Sequence, residues 1–384
     1  MKTAHRPPLK IAPRNGRRPG GRGSLSNRSS RFERLAREPF DDGWAGPPDA
    51  DAQNAKALRT EVTIETPRRI LTRNVSPDIS FDRSINPYRG CEHGCSYCFA
   101  RPTHAFLDLS PGLDFESKLF AKPEAAKLLR KELSNPNYQP DVVAMGTNTD
   151  PYQPIERQFR ITRSVLEVLA ACHHPVGIVT KSGLIARDID ILGPMAEKGL
   201  VKVAISLTTL DRALARALEP RACAPDKRLE TIRALSRAGI PTSVLVAPVI
   251  PALNDMEIED ILKTARRAGA HAAGYVLLRL PLEIKTLFEE WLEANVPDRK
   301  AHVMTIVRNM HGGKAYDAAW GLRQRGRGPY ADLVRARFEK ALKRLGMADR
   351  EIKLRCDLFR PPEAWRLRGR RDTAKSGGEQ LSFF

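Results

Sequence analysis

Short apolar runs rich in β-branched residues alternate with longer stretches of helical period over most of the chain. The runs lie at 142–145, 176–179, 201–205, 242–249 and 273–278, and they read as strands buried on both faces, as in parallel sheets. Between them the apolar spacing predicts helices over 123–133, 161–171, 188–198, 227–238 and 256–268. Pro123 and Pro225 sit near helix starts, and Gly199, Gly239 and Gly269 sit just past helix ends. A βα repeat of roughly 30–40 residues implies right-handed crossovers and a parallel α/β sheet. Periodicity leaves open whether that sheet closes fully, stops as a partial barrel or stays open.

The flanks follow a different pattern. Residues 1–58 are rich in Pro, Gly, Arg and Ser without a sustained period, which predicts a disordered basic tail. A short amphipathic piece around Phe32, Leu35 and Phe40 is the part of it suited to docking on the body. The stretch 60–70 has the β-branched content of a strand, edge-like because of Pro67. After Leu292 the pattern loosens, and 330–345 reads as a basic amphipathic helix with Val334, Phe338, Leu342 and Leu345 on one face. The expected organisation is a tail over 1–58, a core over 59–292, a basic helical extension over 293–371 and a flexible tail over 372–384.

Charge changes the picture through its placement. Of the formal +19 carried by 384 residues, +9 falls in 1–40 and +10 in 321–371, leaving the body near neutral. Two basic ends suit an anionic partner, most simply nucleic acid, although Arg-rich tails that merely stay solvated fit equally well. The Arg-rich segment 323–330, ending in Tyr330, has a composition that can hold phosphates and stack bases, or can form a solvated loop. No apolar run reaches the roughly 18 residues needed to span a bilayer, which argues against a membrane partner. The N-terminus has the charge of a signal peptide with no apolar segment behind it, and its prolines spoil the amphipathic helix of a mitochondrial presequence. The expected compartment is the cytoplasm.

Chemistry concentrates in the stretch NPYRGCEHGCSYCFARP, where Cys91, Cys95 and Cys98 form a C-x₃-C-x₂-C loop. Six cysteines in a chain this long, three within eight positions, argue for a metal site over a disulfide framework. Thiolates suit iron–sulfur clusters and zinc. Three local thiolates leave one corner of a four-iron cluster without a cysteine, the open position that a catalytic metal site keeps. The competing reading is a zinc knuckle with His93 or a remote fourth ligand, within a zinc-stabilised nucleic-acid-binding protein. The three other cysteines read as buried structural thiols.

The loop, with Tyr97 as its aromatic, resembles the signature of radical SAM enzymes, in the branch containing spore photoproduct lyase and its uncharacterised relatives. The resemblance covers about 80–285. It implies a partial (β/α)₆ TIM-like barrel with a [4Fe-4S] cluster at its C-terminal mouth, held by Cys91, Cys95 and Cys98. It also implies S-adenosylmethionine (SAM) on the open iron and an external one-electron donor of flavodoxin or ferredoxin type. Reductive cleavage of SAM would yield a 5′-deoxyadenosyl radical.

For the cofactor pocket the resemblance assigns Thr149 and Asp150 to the SAM amino group, an Asx or ST turn before Pro151 being the alternative. Lys181, with Ser182 beside it, falls to the carboxylate or ribose, Ser206 to the ribose, and Tyr97 to the vicinity of adenine. Glu219 and Arg221, with Arg228 beyond, form an ion pair able to clamp a carboxylate, or an ordinary surface pair. The lyase's cysteine hydrogen donor has no counterpart here: Thr147 or Asn148 stands in its place, so its reaction on thymine dimers does not transfer. Cys223, near Glu219 and Arg221, is the alternative thiol donor. The terminal residues Gln380, Leu381, Ser382, Phe383 and Phe384 resemble peptides that dock on the bacterial sliding clamp. The functional expectation is therefore a radical SAM enzyme acting on nucleic acid, in repair or modification. The same chemistry on a protein or small molecule is the alternative.

Overall fold

In the computed structural model, residues 11, 21–33, 58–79, 81–347 and 352–365 are described. The alternating runs become strands with side chains buried on both faces or nearly so. In chain order the strands are β1 (Glu61–Ile64), β2 (Leu71–Arg73), β3 (Arg83–Ile85), β4 (Tyr88–Arg89), β5 (Lys118–Ala121) and β6 (Val143–Met145). They continue with β7 (Val176–Thr180), β8 (Val201–Ser206), β9 (Thr242–Val249) and β10 (Ala272–Leu277). Seven of them form one sheet in the order β10-β9-β8-β7-β6-β3-β2. Only β2 runs antiparallel; the other six are parallel neighbours. The edges β10 and β2 do not pair, so the six parallel strands make a partial and not a closed barrel.

Helices α1 (Ala125–Leu133), α2 (Ile161–Ala171), α3 (Ile189–Glu197), α4 (Arg212–Leu218), α5 (Pro225–Arg237) and α6 (Ile258–Arg267) connect these strands. Each buries an apolar stripe; α6, for example, turns Ile258, Ile261, Leu262 and Ala265 inward and leaves its charged residues outside. All six parallel strands deliver their C-terminal ends to one side. That edge is where α/β folds place their ligands.

The stretch 60–70 yields the edge strand expected of it, β1, in a separate three-stranded sheet ordered β1-β5-β4. Two expectations change. Residues 21–33, expected within a disordered tail, pack on the body through buried contacts described below. The Arg-rich segment is also folded in: Arg323 bonds Asp78 at 2.5 Å, Arg325 lies 4.5 Å over the Tyr275 ring, and the Tyr330 hydroxyl donates to Asp255 at 2.8 Å. It is therefore not a free solvated loop, while Arg325 and Arg327 stay exposed.

Past the barrel come α7 (Ile284–Asn295), α8 (Pro297–Met310) and α9 (Pro329–Leu345). Helix α9 buries Val334 and Phe338, the latter 4.7 Å from Tyr275 of β10. The segment 352–365 seals the opposite end, where Phe359 meets Tyr138 and His174. Among the described residues no helix is long and apolar enough to cross a membrane. The terminal residues 380–384 lie outside the described residues.

Candidate active site

The cysteine loop follows β4, a few residues past the C-terminal end of β3, and its backbone is fixed from several sides. Cys91 N donates to Phe115 O at 2.9 Å, Ser96 N to Leu218 O at 2.9 Å, and Arg221 N to His93 O at 3.3 Å. Gln153, fully buried, accepts from Glu92 N and donates to Gly90 O, pinning both sides of Cys91. Gly94 holds φ at +66°, a left-handed conformation that glycine adopts without strain. Glu92, His93 and Ser96, which follow Cys91 and Cys95, are thereby held by Gln153, Arg221 and Leu218.

One wall of this loop is the segment 21–33. Glu116, fully buried, accepts from Gly23 N and Ser24 N at 2.8 Å each and from Arg101 at 2.5 Å. Arg101, equally buried, also donates to Cys95 O at 2.9 Å. A Cβ on Gly23 would lie 1.6 Å from Gly94 O, so the strap and the cysteine loop touch at backbone distance. Farther along, Asn27 bonds Asp114, while Arg28 and Ser26 bond Glu290 of α7. The strap thus ties the loop to the C-terminal helices. Composition gave no signal for it, because the bonds run from main-chain N–H groups to a carboxylate 93 positions away.

The donor set fits an iron–sulfur cluster. Cys91, Cys95 and Cys98 are all free, lie within the loop, and are buried or half-buried. Burial pushes all three thiols above the ordinary range, so as isolated groups they stay protonated. A cationic metal centre is what would favour their thiolates. His93 does not join them: its Nδ1 lies 3.4 Å from Asp150 Oδ2. Among the described residues no three His, Cys, Asp or Glu side chains converge on a point suited to a single ion. Thiols that would each occupy a different corner of a cubane need not converge, whereas a zinc knuckle must.

The mouth around the loop carries a buried polar network. Glu219 accepts from Thr208 at 2.6 Å and from Lys181 at 3.1 Å, and also from Arg228 and the Tyr97 hydroxyl. Burial opposes its charge, but Arg228 and Lys181 outweigh it and hold the carboxyl well below the usual range. Lys181, just past β7, also donates to Ser206 at 2.7 Å, and Arg228 donates to Ser206 O at 3.0 Å and Cys223 O at 2.8 Å. Glu219 therefore pairs with Arg228 and Lys181. The expected pairing with Arg221 is not made; Arg221 bonds Glu92 at 3.0 Å, and Glu92 accepts from Thr60 as well.

The remaining sequence-derived residues divide by what they touch. Asp150 accepts from Thr180 at 2.7 Å, Lys181 N at 2.7 Å and Tyr152 N at 2.9 Å. Burial works against its charge; His93 and these donors lower its pKa nonetheless. Thr149 donates to Tyr88 O at 3.1 Å. Ser182 caps the turn that follows, accepting from Leu184 N at 3.2 Å. Tyr97 is buried with Lys181 5.7 Å from its ring centre. Cys223 accepts from Gly183 N at 3.1 Å and, like Cys356, is only half-buried; Cys172 alone of the other three is fully buried. Sequence reasoning missed Glu116, Arg101, Gln153 and Thr208, whose roles depend on contacts between distant segments.

Comparison with known proteins fits this geometry. The sequence model described as the radical SAM superfamily matches residues 85–265. An uncharacterised protein of Mycobacterium tuberculosis is 38% identical over 232 residues, covering 60% of this chain and 68% of that one. An uncharacterised protein of Methanocaldococcus jannaschii is 26% identical over 233 residues, covering 60% and 82%. Among solved structures, a spore photoproduct lyase variant with bound AdoMet and dinucleoside spore photoproduct superposes with a TM-score of 0.55. It is 15% identical, with 80% of this chain and 85% of that one covered. The lyase complexed with dinucleoside spore photoproduct gives 0.54 at the same identity and coverage.

Proposed function

The chain belongs to the radical SAM superfamily, and on that premise we propose that this iron–sulfur enzyme cleaves SAM in order to act on nucleic acid. The observation that carries the chemistry is the trio Cys91, Cys95 and Cys98, free thiols on a loop at the C-terminal edge of six parallel strands. When bound, the cluster supplies one electron that breaks a C–S bond of SAM, releasing methionine and a 5′-deoxyadenosyl radical.

The protein's own part is to orient and to exclude water. Thr149 and Asp150 are engaged internally, so the SAM amino group would be met by the half-buried backbone of 146–148, which those two side chains hold in place. Lys181 and Ser206 are the polar groups for the carboxylate and ribose, with Lys181 poised by Glu219 and Thr208. Tyr97 forms the floor beneath Lys181. Cys223 is the candidate hydrogen donor; a donated hydrogen atom would leave a thiyl radical, which one electron from the external donor and one proton from solvent return to the thiol.

The nucleic-acid reading is supported by the basic ends and by what the two lyase structures contain, dinucleoside spore photoproduct. Anaerobic reconstitution with iron and sulfide tests the chemistry: a broad visible absorption bleached by dithionite, with SAM-dependent release of 5′-deoxyadenosine, is expected. Labelled oligonucleotides test the substrate class. Binding that weakens steeply with salt supports it, and absence of binding removes it.

A further inference from the structure

Apolar side chains left in solvent gather beside the cysteine loop. Ten large ones are exposed among the described residues, and four of them, Phe32, Phe99, Phe106 and Leu282, lie on the strap, the cysteine loop with the turn after it, and the segment after β10. Phe99 directly follows Cys98, and Phe106 closes the 3₁₀ turn Arg101–Leu107 that begins three residues after that cysteine. The rings of Phe32 and Phe106 are 5.2 Å apart, with Arg31 stacked 4.6 Å and 5.2 Å from them. Arg31 also bonds Glu283, the neighbour of Leu282, at 2.7 Å. Arg279, just past the end of β10, lies 3.8 Å over the Phe99 ring. Exposed apolar area of this kind, rimmed by polar groups, marks an interaction surface.

The chemistry of the patch narrows its partner. Arg31 and Arg28 are neutralised by Glu283 and Glu290, so the strap presents ring faces and not uncompensated charge. An acidic protein would need the charge. Arg279 is the exception: it has no ion pair or hydrogen bond among the described residues, and its Nε is buried without a partner. Phe32, Phe99 and Phe106 stay 49%, 43% and 69% exposed with the arginines stacked on them, and exposed ring surface beside a guanidinium without an ion pair is what unstacked bases and one phosphate or base edge require.

We propose that Phe32, Phe99, Phe106 and Arg279 form a stacking platform for unpaired bases of a nucleic-acid strand at the barrel mouth, an inference that rests on the nucleic-acid reading above.

The test uses the full chain, purified anaerobically, with a fluorescein-labelled single-stranded oligonucleotide and its duplex read by anisotropy. The single strand should bind more tightly than the duplex. Phe106→Ala and Phe99→Ala should each weaken single-strand binding roughly 5- to 150-fold. Arg279→Gln should lower the salt slope by about one. Phe106 is 69% exposed, so its truncation leaves the fold intact, with circular dichroism as the control. Wild-type binding that both phenylalanine variants retain would overturn the platform and leave the substrate class standing. Loss of reduction by flavodoxin with unchanged oligonucleotide binding would overturn it in favour of an electron-donor surface. A wild-type chain that binds neither strand form while still cleaving SAM would remove the nucleic-acid reading and the platform together.

Discussion

Gly23 N and Glu116 Oε2 are 2.8 Å apart, and that bond joins a glycine near the N-terminus to a fully buried carboxylate behind the cysteine loop. The same carboxylate holds Arg101, whose guanidinium supports Cys95 O. The strap therefore closes one wall of the site.

Gly23→Ala should prise that wall open, because the added methyl would fall 1.6 Å from Gly94 O, a backbone atom that cannot swing aside. Hydrogen bonds to a charged group are worth about 1.5–3 kcal/mol each, so losing one shifts local opening by about 2 kcal/mol, roughly 30-fold. In the metal-free protein, alkylation of Cys91, Cys95 and Cys98 should accelerate by that factor, while Cys356 reacts as before. Equal rates at the loop thiols would show that the strap is not part of the wall.

The barrel was legible because its determinants are local. Residues 242–249 and 161–171 read as strand and helix with the bounds the structure gives, since each carries its own period. The cysteine loop was legible through spacing alone. What escaped was long-range pairing. Glu219 and Arg221 are close in sequence, but α4 ends at Leu218 and α5 brings Arg228, not Arg221, onto the carboxylate. The strap escaped for the same reason: its Gly, Ser and Arg content reads as disorder until Glu116 is placed beneath it.

Glu219→Ala should be costly out of proportion to its size. Arg228 is almost fully buried and Lys181 nearly so, and both would lose their carboxylate. Breaking a buried pair by removing one partner costs about 3–5 kcal/mol, so the melting temperature should fall by on the order of 10 °C. Glu219→Gln, which keeps one acceptor oxygen for Thr208 and Tyr97 to share, should recover part of that loss. A melting temperature unchanged in the alanine variant would mean the network is solvated.

Replacing Cys91, Cys95 or Cys98 singly by Ser should cut iron bound after reconstitution by well over half and abolish 5′-deoxyadenosine release, whereas Cys172→Ser should leave both untouched. Two of the three thiols retaining full iron and activity when the third is lost would refute a three-point attachment. Cys223→Ala should bind iron normally and still release 5′-deoxyadenosine, but form less product per molecule released. An unchanged ratio would remove Cys223 from the reaction.

His174 supplies a pH dependence away from the cysteine loop. Its Nδ1 donates to Pro175 O at 3.0 Å, and its Nε2 accepts from the Tyr138 hydroxyl at 2.8 Å, an arrangement that only the neutral ring can make. Burial pushes its pKa down to about 4 from the ordinary 6.5. Between those values the unfolded chain binds a proton that the folded chain does not, so stability rises with pH across that window. The contribution is fully present above pH 6.5 and is lost as pH falls towards 4, about 3 kcal/mol in all. Urea unfolding at pH 7.5 and pH 4.5 should therefore separate wild type from His174→Gln: the variant is the less stable at the higher pH, yet loses about 2.5 kcal/mol less on acidification. Parallel losses in the two proteins would show that this imidazole is already solvated in the native state.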